Sequence, residues 1–296
     1  MYDVFLRFPE YKTKAVTFSY DDGVEQDERL IEIFNRNGLK SAFNINTGLI
    51  APEGTIYPSD QLHRRLGYRA IQRIYSAGGH ELAMHSLHHK YMDSLNECDL
   101  LYELAADKAN LEKLTGKIIR GFACPYGRSN AKLKSALAQL NVVYSRGVQC
   151  SMDFSLPQDF LDITPTCRHS SEGLDRLIEH FCTDSPLDSY HDRHPWLFYM
   201  WGHSYEFDRD NCWSLIEDVA KKIGMRSDTW YADNITIFSY ISDYRRLIYS
   251  AAGDLVFNPT SSRIWLESDR EKFYIEPGET RPVHRLPAEE FVYQEK

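Results

Sequence analysis

Lys14-Ala15-Val16-Thr17-Phe18-Ser19-Tyr20-Asp21-Asp22-Gly23 decides how the chain is organised. A β-prone, largely apolar run (KAVTFSY, 14–20) meets two carboxylates and a glycine, and the stretch 25–37 then follows with helical spacing of its apolar residues up to Gly38. A strand leading through a turn into an amphipathic helix is the first half of a βαβ unit. Reading outward, further strand-like runs fall at 41–46, 80–85, 120–124, 142–146, 196–202 and 229–232. Helical patterns lie between and after them at 69–77, 96–114, 131–140, 171–182, 213–223 and 235–249, with a Pro/Gly-containing loop over 47–68. Strands alternating with helices predict an α/β fold on a parallel sheet, and periodicity alone leaves a barrel and an open doubly wound sheet both available. After Gly253 the texture changes to short alternating runs broken by Asn258-Pro259, Ser268-Asp269 and Pro277-Gly278. That is hairpin chemistry, so a small β extension over 253–296 is expected beyond an α/β domain over 1–252.

Composition narrows the function. A chain of 296 residues that is 43% hydrophobic and 26% charged has the makeup of a globular protein, which excludes a disordered one. The net charge of −9 argues against a nucleic-acid binder, which needs a basic stripe. No apolar run nears the roughly 18 residues of a membrane span. Met1-Tyr2-Asp3-Val4 does not open a secretory signal, so a cytoplasmic placement is expected. Cys98, Cys124, Cys150, Cys167, Cys182 and Cys212 form no C-x-x-C pair, and reduced thiols are expected.

In parallel α/β folds the functional groups gather at the C-terminal ends of the strands. Here those ends carry Asp21-Asp22-Gly23, His85 with His88 and His89, Pro125-Tyr126-Gly127, Arg146, and Gly202-His203. His85 and His89 would sit ~13 Å apart in extended chain but about 6 Å apart on one helical turn, where they suit a single ion. His88 is also within reach, so spacing leaves the second imidazole open. Two histidines and one carboxylate fit Zn²⁺, Mn²⁺, Co²⁺, Ni²⁺ or Fe²⁺, and such an ion lowers the pKa of its water toward about 7. Hydrolysis then needs a base, an oxyanion donor and an acid, and the rim offers a group for each. Two other motifs fail. His80-Glu81 opens like a zinc-protease H-E-x-x-H, but His85 comes one residue late, and Gly202-His203-Ser204-Tyr205-Glu206 lacks the last glycine of a G-x-S-x-G elbow.

Together the motifs resemble the polysaccharide deacetylases, the NodB-homology carbohydrate esterases. Ser19-Tyr20-Asp21-Asp22-Gly23 is similar to that family's [ST]-[FY]-D-D-G, and His85-Ser86-Leu87-His88-His89 to its H-[ST]-x-x-H. FACPYG at 122–127 resembles the third motif, and His203 the last; the likeness spans roughly residues 14–205. The resemblance implies a distorted (β/α)7 barrel that removes N- or O-acetyl groups from a carbohydrate with one divalent metal ion, zinc first. It implies Asp21 as general base, Asp22, His85 and His89 as metal ligands, the backbone N–H of Tyr126 in the oxyanion hole, and His203 as general acid. Tyr126, Trp201 and Tyr205 would line the substrate site, and the partner would be an acetylated saccharide, with no nucleic acid and no membrane. Two departures stand out. Ala123 occupies the place of an arginine that would hold the base, with Arg146 on the neighbouring strand end as its substitute. The D-x-x-D-W motif that tunes the acid is replaced by Pro165-Thr166-Cys167-Arg168-His169, leaving Asp162 or Glu206 to orient His203. These departures keep open hydrolysis of a non-sugar C–N bond, or a non-catalytic carbohydrate-binding barrel with Trp201, Tyr205 and Trp230 along a groove.

Overall fold

The structure, a computed structural model, describes residues 4–188, 193–268 and 271–283. The first three residues and the last part of the expected extension, 284–296, lie outside the described residues. A short strand β1 (Phe5–Arg7) precedes the α/β region. That region contains β2 (Lys14–Asp21), β3 (Ser41–Ile45), β4 (Glu81–Met84), β5 (Gly121–Ala123), β6 (Tyr144–Arg146), β7 (Cys167–Arg168), β8 (Trp196–Gly202) and β9 (Thr229–Tyr231). The main sheet runs β6-β5-β4-β3-β2-β8-β7, parallel throughout.

Around it lie α1 (Asp27–Arg36), α2 (Tyr68–Gly78), α3 (Glu97–Thr115), α4 (Ala131–Gln139), α5 (Leu174–Thr183), α6 (Tyr205–Arg209), α7 (Trp213–Ile223) and α8 (Asn234–Arg245). None of the described helices is long and apolar enough to cross a membrane. The cysteines are all free thiols.

Every residue of β2 is buried, because both of its faces are covered. Val16, Phe18 and Tyr20 point into the core shared with the helices, whereas Ala15 belongs to a second core with Tyr199, Ile237 and Phe238. Small side chains on this second face make room for α8, whose first residue, Asn234, accepts from the Thr17 hydroxyl and donates to the Tyr199 hydroxyl, both at 2.7 Å. Strand β8 pairs with β2 along Lys14 to Tyr20, so the other edge of β2 is divided between β9 over Lys14 to Val16 and β3 from Phe18 onward. At the far edge, Ile163 bridges Arg146 in parallel just before the chain enters β7. The chain thereby spans the two sheet edges, giving a distorted (β/α)7 barrel.

Strand β7, at the edge of this sheet, was not anticipated. It is two residues long and polar at Arg168, too short to show a period, and it is a strand only because β8 offers it a partner. The run at 229–232 is a strand, but it patches the lower half of β2 instead of extending the row. The last helix ends at Arg245, not at 249, and Ile248–Tyr249 form strand β10. It pairs with β11 (Leu255–Phe257), which pairs with β14 (Thr280–Pro282), while β12 (Ile264–Glu267) and β13 (Lys272–Ile275) form a hairpin. Strand β1 adds to that hairpin by pairing with β12, so one antiparallel sheet joins residues from both ends of the chain.

Candidate active site

Strand β2 ends at Asp21, and the backbone turns left-handed at Asp22 (φ 88°) and again at Gly23 (φ 65°). The turn thus begins one residue before the glycine. The Asp22 N–H donates to the Asn44 carbonyl at 2.9 Å, so β3 holds the strained residue in place.

Asp21 is buried, accepts from Asn44 Nδ2 at 2.7 Å, and has both carboxylate oxygens bound by Arg146 Nη2. Arg146 is fully buried, with its guanidinium 4.5 Å from the ring centre of Trp201. In the ladder between β5 and β6, Arg146 stands directly opposite Ala123. The arginine missing from the third motif is therefore supplied at the same height from the next strand. Burial alone would raise the Asp21 carboxyl, but the charges of Arg146, His85 and His203 outweigh it and hold the group below its usual range.

His85 and His89 converge without a helical turn. Ser86 (φ 61°) and His89 (φ 54°) are left-handed, and the imidazole centres lie 4.8 Å apart, edge to face. Helix α3 holds this loop from outside: the Asp107 carboxylate accepts from the His85 N–H at 3.1 Å, and Glu103 accepts from the His88 N–H at 2.8 Å. Glu103 also engages His88 Nδ1 at 2.9 Å, which turns that side chain away from Asp22.

His85 Nδ1 is 2.8 Å from the Ala123 carbonyl and donates to it, so Nε2 is left as an acceptor. That Nε2 is buried without a hydrogen-bond partner, 3.9 Å from Asp21 Oδ2. Burial pushes the His85 imidazole down to about 4 despite the nearby carboxylates, and burial lowers His89 as well. One ligand atom each from Asp22, His85 and His89 lies within 4.8 Å of the others. Two neutral imidazoles and a carboxylate suit zinc or another first-row divalent ion.

The loop at 47–68 brings two partners that sequence reasoning missed. His63 Nε2 lies 3.1 Å from Asp22 Oδ2, and Arg65 Nη2 donates to Oδ1 at 3.0 Å. Against burial, which would raise it, the His63 hydrogen bond and the Arg65 charge hold Asp22 well below the carboxylate range. The only hint in the sequence is the basic run His63-Arg64-Arg65 within an otherwise featureless loop.

His203 follows β8, with Nε2 3.9 Å from Asp21 Oδ2 and Nδ1 3.5 Å from Glu206 Oε2. Glu206 is buried between His203, His169 and Arg168. Burial would lower His203, but the Glu206 carboxylate beside it and the charges of Asp21 and Asp22 raise it above its ordinary value. Asp162, the other residue considered for this role, instead pairs with Lys134 at 2.7 Å. Buried Asp27 ties the two rim turns together, accepting from the Ser204 hydroxyl at 2.6 Å and from the Val24 N–H at 3.2 Å.

Asp21, Asp22, His85, His89 and His203 border one cleft of about 640 Å³, together with Tyr126, Trp201 and Tyr205. Tyr126 is left-handed (φ 58°), its ring is edge-on to His89 at 4.6 Å, and its side chain is open to solvent. Trp201 is only 5% exposed, with the Arg146 and Arg168 guanidiniums against its ring, so it forms the cleft floor and not a stacking surface. Trp230 packs on Phe8 and Tyr240 in the second core, away from the cleft, contrary to the groove pictured for a binding module.

Residues 9–145 match the family model described as polysaccharide deacetylase; Arg146 and His203 lie beyond that match. No protein of curated function matches the sequence. A structure from Mycobacterium smegmatis, assigned to the polysaccharide deacetylases, superposes with a TM-score of 0.54 at 16% identity, covering 83% of this chain and 96% of the other. A family 4 carbohydrate esterase from Streptomyces lividans, solved with acetate, aligns at 15% identity with a TM-score of 0.48, covering 75% of this chain and 93% of the other.

Proposed function

We propose that the chain belongs to the family whose model it matches, the polysaccharide deacetylases, a family of metal-dependent hydrolases, and that its cleft removes acetyl groups from a saccharide with one zinc ion held by Asp22, His85 and His89. The observation that carries this reading is the buried, unpartnered Nε2 of His85, aimed at two carboxylates. An apolar pocket would not strand such an acceptor, since leaving it unpaired costs about 1–3 kcal/mol.

A divalent cation, when bound, supplies a water of lowered pKa. Asp21, kept ionised by Arg146, accepts the proton of the attacking water. The backbone N–H of Tyr126 donates to the oxygen that becomes negative as the acyl carbon turns tetrahedral. His203, whose pKa the Glu206 carboxylate raises, gives its proton to the departing amine or alcohol. Arg146 and Glu206 are positioning residues: the first fixes the base, the second the acid.

The test is metal analysis of the purified protein beside acetate release from a panel of acetylated saccharides. The expected result is one zinc per chain, activity lost on chelation and restored by zinc, and a metal-free Asp22→Ala variant. Full acetate release from chelator-treated, metal-free protein would overturn the proposal.

A further inference from the structure

The three candidate metal ligands come from strands that are not neighbours. Asp22 follows β2, His85 and His89 follow β4, and β3 lies between those strands in the sheet, so no strand pairing joins β2 to β4. Asn46, the first residue past β3, is fully buried and reaches both ways. Its Nδ2 donates to the carbonyls of His85 and Ser86, the latter at 2.9 Å, and its Oδ1 accepts from Arg65 Nη1 at 2.7 Å. The same Nη1 donates to the Asp22 carbonyl at 2.5 Å, and Nη2 to Asp22 Oδ1 at 3.0 Å. Arg65 is itself fixed to the Asp22 turn. It bridges Val24 in antiparallel fashion, and the N–H of Leu66 donates to the Gly23 carbonyl at 2.9 Å. Both ligand-bearing turns hold a non-glycine residue in left-handed backbone, Asp22 (φ 88°) and Ser86 (φ 61°), a conformation that persists only where its surroundings impose it. The carbonyls of these two residues are among those that Arg65 and Asn46 hold. A carboxylate has about four lone-pair sites, so Arg65 and His63 leave Asp22 able to take a cation as well.

We infer that Asn46 and Arg65 form a clasp that sets the spacing of Asp22 against His85 and His89 ahead of metal binding, so that both are positioning residues for the cation. This rests on the metal-dependent reading above and adds to it what holds the ligands in register. Two influences of Arg65 oppose each other: its positive charge repels a divalent ion, whereas its planar fork ties the Asp22 turn to the histidine loop through Asn46. Truncating Arg65 therefore tightens zinc binding if charge governs and weakens it if the clasp governs.

The experiment measures zinc affinity of the folded, metal-stripped protein by competition with a chromogenic chelator, a constant that a mere loss of global stability does not move. Arg65→Ala and Asn46→Ala should each weaken zinc binding about tenfold. The double variant should be little weaker than the worse single one, because the two residues act as one bridge. Arg65→Lys keeps the charge without the fork and should stay weakened. Arg64→Ala serves as the control: it removes a like charge from the same loop, but Arg64 pairs with Glu25 at 3.2 Å, and zinc binding should match wild type. Tighter or unchanged binding by Arg65→Ala, full rescue by Arg65→Lys, or additive losses in the double variant would each overturn the clasp. Acetate release from the saccharide panel is a separate readout. Zinc-binding wild type that releases no acetate ends the deacetylase reading while the affinity losses still support the clasp, and wild type that takes up no zinc overturns both.

Discussion

Two fully buried arginines in this molecule each meet a buried carboxylate, and their surroundings differ. Arg7 joins the sheet shared by the chain ends: its Nε donates to Glu267 at 2.9 Å and its Nη1 to the carbonyls of Leu6 and Arg193 at 2.7 and 2.9 Å. The second Glu267 oxygen is taken by Arg193, so the carboxylate is consumed by structure. Arg146 holds Asp21 just as firmly, yet that carboxylate also faces His203 and the unpartnered imidazole nitrogen of His85. The chemical pair is the same; what distinguishes a site from a staple is whether the carboxylate borders a cleft and an unpartnered imidazole.

The sharpest break of this comparison is to neutralise each acid. Asp21→Asn should keep the metal while kcat for acetate release falls by about 10²–10⁴, with a loss of stability besides because Arg146 is left buried without its counter-charge; a variant with wild-type turnover would remove Asp21 from the role of base. Glu267→Gln should spare turnover. Leaving the buried Arg7 without its carboxylate should cost about 3–5 kcal/mol and lower the thermal midpoint by about 10 °C, with turnover per folded molecule unchanged. A collapse of turnover there would mean that the end sheet shapes the cleft.

The His203–Glu206 pair gives a smaller effect, read along the pH axis. The acid must be protonated, and its raised pKa keeps the rate up beyond 6.5, with loss as pH climbs through the raised value. Glu206→Gln removes the charge that raises it, so the alkaline limb of kcat/KM should move down by about one unit. A limb that stays put would assign it to another group.

A further effect, on stability alone, lies farther down the barrel. Burial pushes Glu81 up to about 8, with the Asp233 charge adding to it, while its carboxylate oxygens meet the Tyr144 hydroxyl and the Ile235 N–H at 2.8 Å. The unfolded chain releases this proton near 4.5, so between about 4.5 and 8 the folded state binds more protons than the unfolded one and stability falls as pH rises. Glu81→Gln should flatten that fall, measured as urea midpoints at about pH 5 and about pH 9. An unchanged slope would place the proton elsewhere.

Much of this was legible in the chain itself. Alternating strand and helix periods, with chemistry-bearing residues at the strand ends, pointed to an α/β fold on a parallel sheet with a rim of functional groups, and the motif resemblance implied that the sheet closes as a barrel. The acids and histidines at 21, 22, 85, 89 and 203 are brought together as that reading requires. What stayed hidden shares one cause. Strand β7 is too short to carry a period, the pairing of β1 with β12 links residues far apart in sequence, and His63 and Arg65 sit in a loop with no repeat.

Local residue order determined the strand ends, the turn at Asp22-Gly23, and which side chains stand on the rim, because these depend on neighbours a few positions away. Only the tertiary structure decided that Arg146 lies level with Ala123 and takes hold of Asp21, that His88 turns to Glu103 while His89 turns inward, and that Trp201 becomes a floor. Those outcomes depend on strand register and on which buried charge finds a partner across the sheet, and neither is written in any short stretch of sequence.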